Sequence, residues 1–270
     1  MIKSIKKRVF WLIALQRKNN LGKFLFSVSQ SFMNALNNKI NDPDLSGENW
    51  FLENLNHSDI KVVFDVGANV GNWSKKMKEV NPEAQIHAFE PVPNTFKKLE
   101  NNLKAFPNIK LNLLGLSSES GKLNFNFYPN SSYLSSAFEH DLGKEGQSIE
   151  VDVIQGDQYC EDNHIQQIDL LKIDTEGFES MVLKGFTTMF ENNKIRLVQY
   201  EYGPMAIDSK FLLSDFYKFF ETKGFRVGKI YPKWIDFRPY SKEMENFILS
   251  NFVAINLNSN YLISKLEDSN

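Results

Sequence analysis

The sequence predicts an α/β protein with a doubly wound, mostly parallel β-sheet that helices cover on both faces. Strand-like apolar runs alternate with segments of helical periodicity after residue 49, and such alternation is typical of βαβ units. The strand-like runs are KVVFDVG (61–67), AQIHAFEP (84–91), IKLNLLGLS (109–117), IDLLKIDTEG (168–177), KIRLVQYEYG (194–203) and FVAINL (252–257). The first run leads directly into a glycine-bearing turn, as the first strand of such a sheet usually does.

Helical periodicity is found between several of these runs. Apolar residues recur at helical spacing in residues 70–80 and again in residues 96–103. FLLSDFYKFFETKGF (211–225) predicts a long helix that ends at Gly224. These segments supply the helices that a doubly wound sheet needs on its two faces.

One region departs from the alternation. KLNFNFY alternates strictly between apolar and polar residues, IEVDVIQ does so less cleanly, and a polar loop (129–147) separates them. We therefore expect a β insertion at about residues 121–155, with a loop that contributes to substrate recognition. NDPDLSGEN (41–49) marks the boundary between an N-terminal helical extension (1–48) and the main domain (49–270).

The composition of the 270 residues indicates a globular, cytoplasmic protein with a formal net charge of −2. The single cysteine, Cys160, excludes an internal disulfide framework and a zinc site built from several cysteines. The charge is distributed unevenly. Residues 1–41 carry eight Lys or Arg and no Asp or Glu, which leaves 23 basic and 33 acidic residues, a formal charge of −10, in the remainder.

The basic N-terminal segment also predicts an amphipathic helix, because apolar residues recur at helical spacing from Ile2 to Ile13. Its longest apolar run, VFWLIAL (9–15), is too short to span a bilayer. QRKNN follows where a signal peptide needs small residues for cleavage. Two interpretations stay open: the segment makes a peripheral contact with an anionic membrane surface, or it packs on the domain with its basic face in water.

The turn DVGANVG (65–71) carries the first indication of a ligand. Gly67 allows a sharp turn, Gly71 allows the next helix to pack tightly, and Asn69 suits a helix start, where free N–H groups attract an anion. A dinucleotide fingerprint needs a glycine where Asn69 stands, and the sequence contains no P-loop Gly-Lys-Ser/Thr. Asp65 ahead of the turn is unfavourable for a pyrophosphate but favours a cation. The turn therefore indicates S-adenosylmethionine, which has an ammonium, a sulfonium and a carboxylate.

A second signal follows the next strand. Glu90 lies 25 residues after the aspartate of the turn, and a carboxylate at that strand tip can accept both ribose hydroxyls. We expect Ala68 and Pro91, beside these two signals, to line the same site. Ser117 or Ser118 follows the third strand, where many nucleotide folds place a polar group against adenine, although a plain turn explains these serines equally well.

Three blocks of the sequence, FDVGANVG (64–71), AFEPVPNTFKKLENN (88–102) and LLKIDTEGFESMVLKG (170–185), together resemble the FkbM-type methyltransferases. The similarity extends over about residues 60–205 in the family's order and spacing, and K-I-D-x-E-G-x-E is its most specific part. The resemblance implies a Rossmann-like fold with a seven-stranded sheet. It also implies S-adenosylmethionine-dependent O-methylation of a hydroxyl on a sugar, a glycan or a related small metabolite.

Carried over by position, the resemblance implies that Asp65, Gly67, Asn69 and Gly71 line the methionine half of the cofactor and that Glu90 takes the ribose. The DTEG block (174–177) is implied to lie beside the reacting methyl group. The family often has an acidic residue after the third strand, where this chain has two serines. The contact with adenine is therefore open.

Four residues are candidates for the base that accepts the proton of an alcohol acceptor, which is otherwise a weak nucleophile. Asp174 is the first, followed by Glu176, Glu201 at the end of the fifth strand, and His140 in the insertion loop. Each has a structural alternative. Asp174 can hold the turn or bind the cofactor's ammonium, Glu176 can cap the next helix, and His140 can be an ordinary loop residue. The three acids could also hold a divalent cation, but their spacing does not bring them together, and we predict no metal.

Two other classes of function compete with this interpretation. An NAD-dependent or nucleotide-sugar enzyme would share the sheet, but Asn69 and the lack of a Tyr-x-x-x-Lys pair in the sequence oppose it. A non-catalytic binding module would be expected to lose cofactor residues, and all the expected ones are present. The charge of −10 on the main domain would repel phosphates, so we expect a small-molecule or glycan acceptor and no nucleic acid.

Overall fold

A computed structural model describes residues 2–55, 57–127 and 147–267 of the chain. The strands, in chain order, are β1 (Val62–Val66), β2 (Gln85–Phe89), β3 (Ile109–Asn112), β4 (Gly115–Ser117), β5 (Gly121–Phe127), β6 (Gln147–Gln155), β7 (Ile168–Ile173), β8 (Ile195–Tyr202), β9 (Phe225–Tyr231), β10 (Trp234–Asp236) and β11 (Ser250–Asn256). The α-helices are α1 (Ile2–Leu15), α2 (Asn20–Leu36), α3 (Pro43–Ser46), α4 (Glu48–Asn54), α5 (Asn72–Val80), α6 (Pro93–Leu103), α7 (Gly156–Asp162), α8 (Glu179–Gly185), α9 (Thr187–Glu191), α10 (Met205–Ser209), α11 (Leu213–Glu221) and α12 (Asn260–Leu266).

The main sheet has the order β10-β9-β11-β8-β7-β1-β2-β3. β1 lies inside it and pairs in parallel with β2 on one side and β7 on the other. β3 and β8 extend the parallel part, whereas β11 is antiparallel to both β8 and β9. The predicted Rossmann-like, doubly wound α/β fold is thereby confirmed. The point where the strand order reverses lies between β1 and β7, and ligands bind at such a point in open α/β sheets.

Two apolar cores cover the two faces of this sheet. One contains side chains from α7 to α11, and the other contains side chains from α4, α5, α6 and α12. β1 contributes to both, because Phe64 and Val66 face one core and Val63 faces the other. Successive side chains of a strand point to opposite faces of the sheet, and both faces of β1 are buried. Its sequence is therefore a nearly continuous apolar run.

The β insertion is present as a second, three-stranded sheet with the order β4-β6-β5. β5 and β6 pair antiparallel, with Phe125 opposite Ile149, as the alternating patterns of KLNFNFY and IEVDVIQ predict. The single strand predicted for residues 109–117 is wrong. The chain bends after Asn112, so β3 completes the main sheet while β4 pairs with β6 in the second sheet.

The C-terminal part contains more structure than the sequence analysis predicted. α11 is shorter than the helix predicted over 211–225, and Gly224 adopts a positive φ of 76° directly before β9. β9 itself was not predicted. The sheet also has eight strands instead of seven, because the short β10 folds back on β9 as an antiparallel edge strand.

The N-terminal extension consists of two long helices and a short turn of helix. Every side chain from Ile5 to Leu15 is exposed, and in α2 only Gly22 is buried. The interpretation as an extension packed on the domain therefore does not fit α1 and α2. Within the described ranges, no helix is long and apolar enough to cross a membrane. The division of the chain after residue 48 stays a prediction.

Candidate active site

A cleft opens at the carboxyl ends of β1, β2 and β7, at the reversal point of the sheet. It encloses about 780 Å³, part of it open to solvent. Its lining comes from the turns after these three strands and from the second sheet: Val66, Gly67, Asn69, Glu90, Pro91, Val92, Gly115, Leu116, Leu123, Phe125, Val151, Val153, Asp174, Thr175, Glu176 and Phe178.

The glycine turn forms one end of the cleft. Gly67 has a φ of +80°, and a Cβ there would lie 1.9 Å from the carbonyl oxygen of Asp174, so only glycine fits between the two turns. The N–H groups of Gly67 and Ala68 both donate to the carbonyl oxygen of Phe89. Asn69 follows with a φ of +49°, and its Oδ1 is buried without a hydrogen-bond partner among the residues that the structure describes. A buried amide oxygen in this position calls for a donor from a bound ligand.

Glu90 lies on the other side of this turn and is 7% exposed. Its Oε2 accepts from the backbone N–H of Asn69 at 3.0 Å, and its Oε1 accepts from the N–H of Val92 at 2.9 Å. Each oxygen keeps a second lone pair that can accept from a ligand hydroxyl. Burial raises the pKa of Glu90 to about 7, against the lowering effect of the two backbone hydrogen bonds. Pro91 lines the cleft next to it.

Four of the predicted cofactor residues, Asp65, Ala68, Gly71 and Ser117, lie outside the cleft lining. Ala68 was expected to line the site, but it is 5% exposed and packs into one of the two apolar cores. Asp65 is 0% exposed, and Gly71 and Ser117 are covered by neighbouring segments. A Cβ on Gly71 would lie 2.7 Å from Leu99 Cδ1, so this glycine allows α6 to pack closely against the turn; the sequence analysis expected it to serve the packing of the helix that follows the turn. The carbonyl oxygen of Ser117 packs against Gly185; a Cβ on Gly185 would lie 2.1 Å from that oxygen.

Asp65 instead belongs to a buried charge network beneath the cleft. Its carboxylate accepts from Ser74 Oγ at 2.6 Å and from Lys172 Nζ at 3.4 Å. Lys172 also donates to Asp174 Oδ2 at 3.1 Å and is itself buried. Burial lowers the pKa of Lys172, but the carboxylates of Asp174, Asp65 and Glu48 outweigh that effect and raise it. Sequence analysis did not single out Lys172; a charged residue inside the apolar run LLKI was the available signal.

The second sheet supplies an apolar wall that the sequence analysis also missed. Its side chains in the cleft lining are Leu116, Leu123, Phe125, Val151 and Val153. The insertion was expected to recognise the substrate through its loop, whereas its described strands line the cleft beside Glu90. Such a wall accepts the face of a flat aromatic ring.

The DTEG turn forms the floor between β7 and α8. Glu176 and Gly177 have positive φ values of 53° and 101°. Glu179 is buried and its Oε1 accepts from the N–H groups of Thr175 and Gly177 and from Thr175 Oγ1, all within 3.1 Å. Glu179 therefore stabilises the conformation of the DTEG turn through these hydrogen bonds.

Asp174, Glu176 and Glu201 are brought together by this turn and by the end of β8. One carboxylate oxygen from each lies within 4.8 Å of the others. Burial, with the carboxylates of Asp174 and Glu179 nearby, raises the pKa of Glu176 to about 9, so this group holds its proton at neutral pH. Burial and the nearby Asp174 and Glu176 also raise the pKa of Glu201. The fourth candidate, His140, lies outside the described residues. That the site binds no metal stays a prediction.

A second, polar cavity is bordered by two of these carboxylates, Asp174 and Glu201. It encloses about 1120 Å³, part of it open to solvent. Its lining is mostly amide, hydroxyl and charged side chains: Asn34, Asn38, Lys39, Ile40, Asn41, Asp42, Pro43, Ser46, Glu48, Asp174, Glu201, Leu249, Ser250 and Asn251. Asp174 thus borders both the cleft and the polar cavity. Much of the cavity wall comes from the segment between α2 and α4, which sequence analysis did not connect with the site.

Residues 65–227, more than half of the chain, match the Methyltransferase FkbM domain family. The chain belongs to this family. The resemblance seen in the sequence is therefore confirmed, and the protein is an S-adenosylmethionine-dependent methyltransferase. Family membership decides against the NAD-dependent enzyme.

Relatives of this methyltransferase include proteins with different acceptors. It is 32% identical over 177 residues to hexuronic acid methyltransferase AglP of Haloferax volcanii, covering 64% of this chain and 70% of that protein. It is 30% identical to 31-O-demethyl-FK506 methyltransferase FkbM of Streptomyces tacrolimicus, covering 46% and 58%. It is 25% identical to 2-O-methyltransferase NoeI of Sinorhizobium fredii, covering 54% and 65%.

Proposed function

We propose that this methyltransferase transfers the methyl group of S-adenosylmethionine to a hydroxyl oxygen of a sugar, a glycan or a related polyhydroxylated metabolite. The observation that carries the proposal is the position of Asp174, which borders both the cofactor cleft and the polar cavity. A methyl group can pass between two ligands only where their sites meet. The names of the relatives AglP and NoeI, a hexuronic acid methyltransferase and a 2-O-methyltransferase, add support for a sugar-like acceptor.

The cleft fits the cofactor on three counts. Asn69 Oδ1 offers a buried acceptor to the ammonium group, Glu90 offers lone pairs to the ribose hydroxyls, and the wall around Leu123 and Phe125 suits the adenine ring. When bound, S-adenosylmethionine supplies an electrophilic methyl group on its sulfonium. The turns around Gly67 and Asp174 orient it, because they pack directly on each other.

The polar cavity suits an acceptor with several hydroxyl groups. The amides of Asn34, Asn41 and Asn251 and the hydroxyl of Ser250 line it, and each of these groups can donate to or accept from an alcohol.

Asp174 is the base that we assign to the acceptor hydroxyl. Its Oδ2 forms an ion pair with Lys172 Nζ at the junction of the two cavities, whereas burial raises the pKa of Glu176 to about 9. The carboxylate can accept the hydroxyl proton as the oxygen attacks, and Glu201, within reach of Asp174, can share that proton afterwards.

The test is transfer of labelled methyl from S-adenosylmethionine to a panel of sugars, uronic acids and glycans, with phenols, RNA and protein as comparison acceptors. We expect O-methylated carbohydrate as the product. Methylation of RNA or protein in preference to sugars would contradict the acceptor class. Calorimetry that detects no binding of S-adenosylmethionine would contradict the cofactor site.

Asp174→Asn tests the role of the base separately. We expect kcat to fall by about 10²–10⁴-fold, because the amide cannot take the proton. Glu201→Gln serves as the comparison, and we expect it to reduce kcat less. A larger loss in Glu201→Gln than in Asp174→Asn would move the base to Glu201.

A further inference from the structure

The two N-terminal helices expose a large amount of apolar surface. Trp11 is 62% exposed, Phe24 is 64% exposed and Phe32 is 65% exposed. The exposed large apolar side chains of α1 and α2 are Ile5, Val9, Phe10, Trp11, Leu12, Ile13, Leu15, Leu21, Phe24, Leu25, Phe26, Val28, Phe32, Met33 and Leu36. Exposed apolar side chains in this number, concentrated in two neighbouring helices, mark an interaction site.

In α2 the apolar side chains form one face. Leu21, Leu25, Val28 and Phe32 follow one another at helical spacing along it. Ser27 and Gln30, on the opposite face, are also exposed. The helix is therefore amphipathic although neither face is covered by the described part of the domain.

The charge around this surface has a single sign. Residues 1–41 carry eight Lys or Arg and no Asp or Glu. Four of these positive charges lie in the first half of α1, and Arg17 and Lys18 lie in the turn between the helices. Apolar side chains next to clustered positive charges are complementary to a bilayer with anionic headgroups, which attract Lys and Arg and accept Trp, Phe and Leu at the interface.

The turn between the helices holds them in a defined arrangement. Asn19 Oδ1 accepts from the N–H of Gly22 at 2.9 Å and so caps α2. A Cβ on Gly22 would lie 1.8 Å from the carbonyl oxygen of Gln16, so the start of α2 packs too closely against the turn for a side chain there. The Arg17 guanidinium lies 3.9 Å from the centre of the Phe26 ring. After α2, Asn38 Nδ2 donates to the carbonyl oxygens of Ser46 and Ile230 and ties the segment to the domain.

We propose that α1 and α2 form a docking surface for a membrane that contains anionic phospholipids, on which the helices lie without crossing it. Other occupants fit the surface less well. A second copy would bring eight more positive charges to the interface, and RNA would use the charges but leave the apolar face of α2 uncovered. The acidic main domain, although opposite in charge, leaves both helices exposed. The docking surface does not depend on which acceptor is methylated.

The test is co-sedimentation of the full chain with vesicles of phosphatidylcholine, with and without phosphatidylglycerol, at low and high salt. The variant Leu25→Glu/Phe32→Glu places two negative charges on the apolar face of α2. Its matched control, Ser27→Glu/Gln30→Glu, adds the same charge to the opposite face. All four positions are exposed, and far-UV circular dichroism checks that both variants keep the helix content of the parent.

We expect the parent to bind vesicles with phosphatidylglycerol, and high salt to weaken this binding. The apolar-face variant should bind at least about tenfold more weakly than its matched control, because it also loses the insertion of two apolar side chains. Equal losses in the two variants, or no binding by the parent, would overturn the proposal. So would binding of RNA without binding of vesicles. A parent dimer in sedimentation velocity that only the apolar-face variant dissociates would assign the surface to a second copy instead.

Discussion

Replacing Lys172 with methionine removes the ammonium group that lies between two carboxylates beneath the cleft. Nζ is 3.4 Å from Asp65 Oδ1 and 3.1 Å from Asp174 Oδ2. At an effective dielectric constant of about 20, each contact supplies a gross attraction of about 5 kcal/mol. The cost of burying the ammonium offsets much of this. The decisive point is that Asp65 is 0% exposed and would keep a buried charge without its ionic partner. Removing one partner of such a pair typically costs about 3–5 kcal/mol.

We therefore expect Lys172→Met to lower the free energy of unfolding by about 3–5 kcal/mol at neutral pH, measured by urea denaturation. Lys184→Met removes an exposed lysine from α8 and should change this free energy by less than about 0.5 kcal/mol. Adding Asp65→Asn to Lys172→Met should recover part of the loss, because the buried charge is then absent.

Two results would refute this reasoning about Lys172. One is a loss no larger than that of Lys184→Met. The other is a double variant, Lys172→Met with Asp65→Asn, that is less stable than Lys172→Met alone. Either result would mean that the two carboxylates do not depend on the ammonium for their burial.

Further predictions concern the cofactor site. Gly67→Ala should weaken the binding of S-adenosylmethionine, measured by calorimetry, by at least about tenfold, because the new Cβ would overlap the carbonyl oxygen of Asp174. Gly224→Ala is the control: Gly224 has a similar φ, but a Cβ there would meet nothing within 4 Å, so binding should stay unchanged. Affinity for the cofactor should increase as the pH rises through about 7, the pKa of Glu90 in the free protein, since the carboxylate accepts hydroxyls better than the protonated acid; affinity that is flat with pH would contradict this. Methyl transfer should persist in the presence of a chelator, because Lys172 already supplies a positive charge beside Asp174; loss of activity that Mg²⁺ or Mn²⁺ restores would contradict it.

The doubly wound, mostly parallel class of the sheet and the position of the cleft at its strand ends followed from the sequence because they rest on local patterns. Buried parallel strands read as apolar runs, and the turns after β1 and β2 carry glycine and acid at spacings that few other structures require. The split of residues 109–117 did not follow, since a bend after Asn112 leaves the apolar pattern unchanged on both sides. The pairing partner of β4 lies more than thirty residues away in β6, and such pairing is not a local property.

The sequence predicted which residues belong to the site better than it predicted what each of them does there. Asp65 belongs to the motif, but its spacing does not tell whether the carboxylate faces the cleft or the neighbouring helix, and the structure turns it towards Ser74 and Lys172. The convergence of Asp174, Glu176 and Glu201 depends on how β7 and β8 pair, which no spacing within one segment reveals. The contribution of residues 34–48 to the wall of the polar cavity could not be predicted for the same reason, because these residues meet β11, which lies near the other end of the chain.

The buried network beneath the cleft connects the turn that we assign to the cofactor with the turn that carries Asp174. The N–H of Asp174 donates to the carbonyl oxygen of Val66, Gly67 packs against the Asp174 carbonyl, and Lys172 connects Asp65 to Asp174. The cofactor turn therefore cannot shift without moving the carboxylate that we assign to the acceptor. In-line methyl transfer depends on the alignment of donor and acceptor to within a fraction of an ångström. Because one set of buried contacts holds both turns, a change at Asp65 or Lys172 should reduce kcat even though neither residue lines the polar cavity.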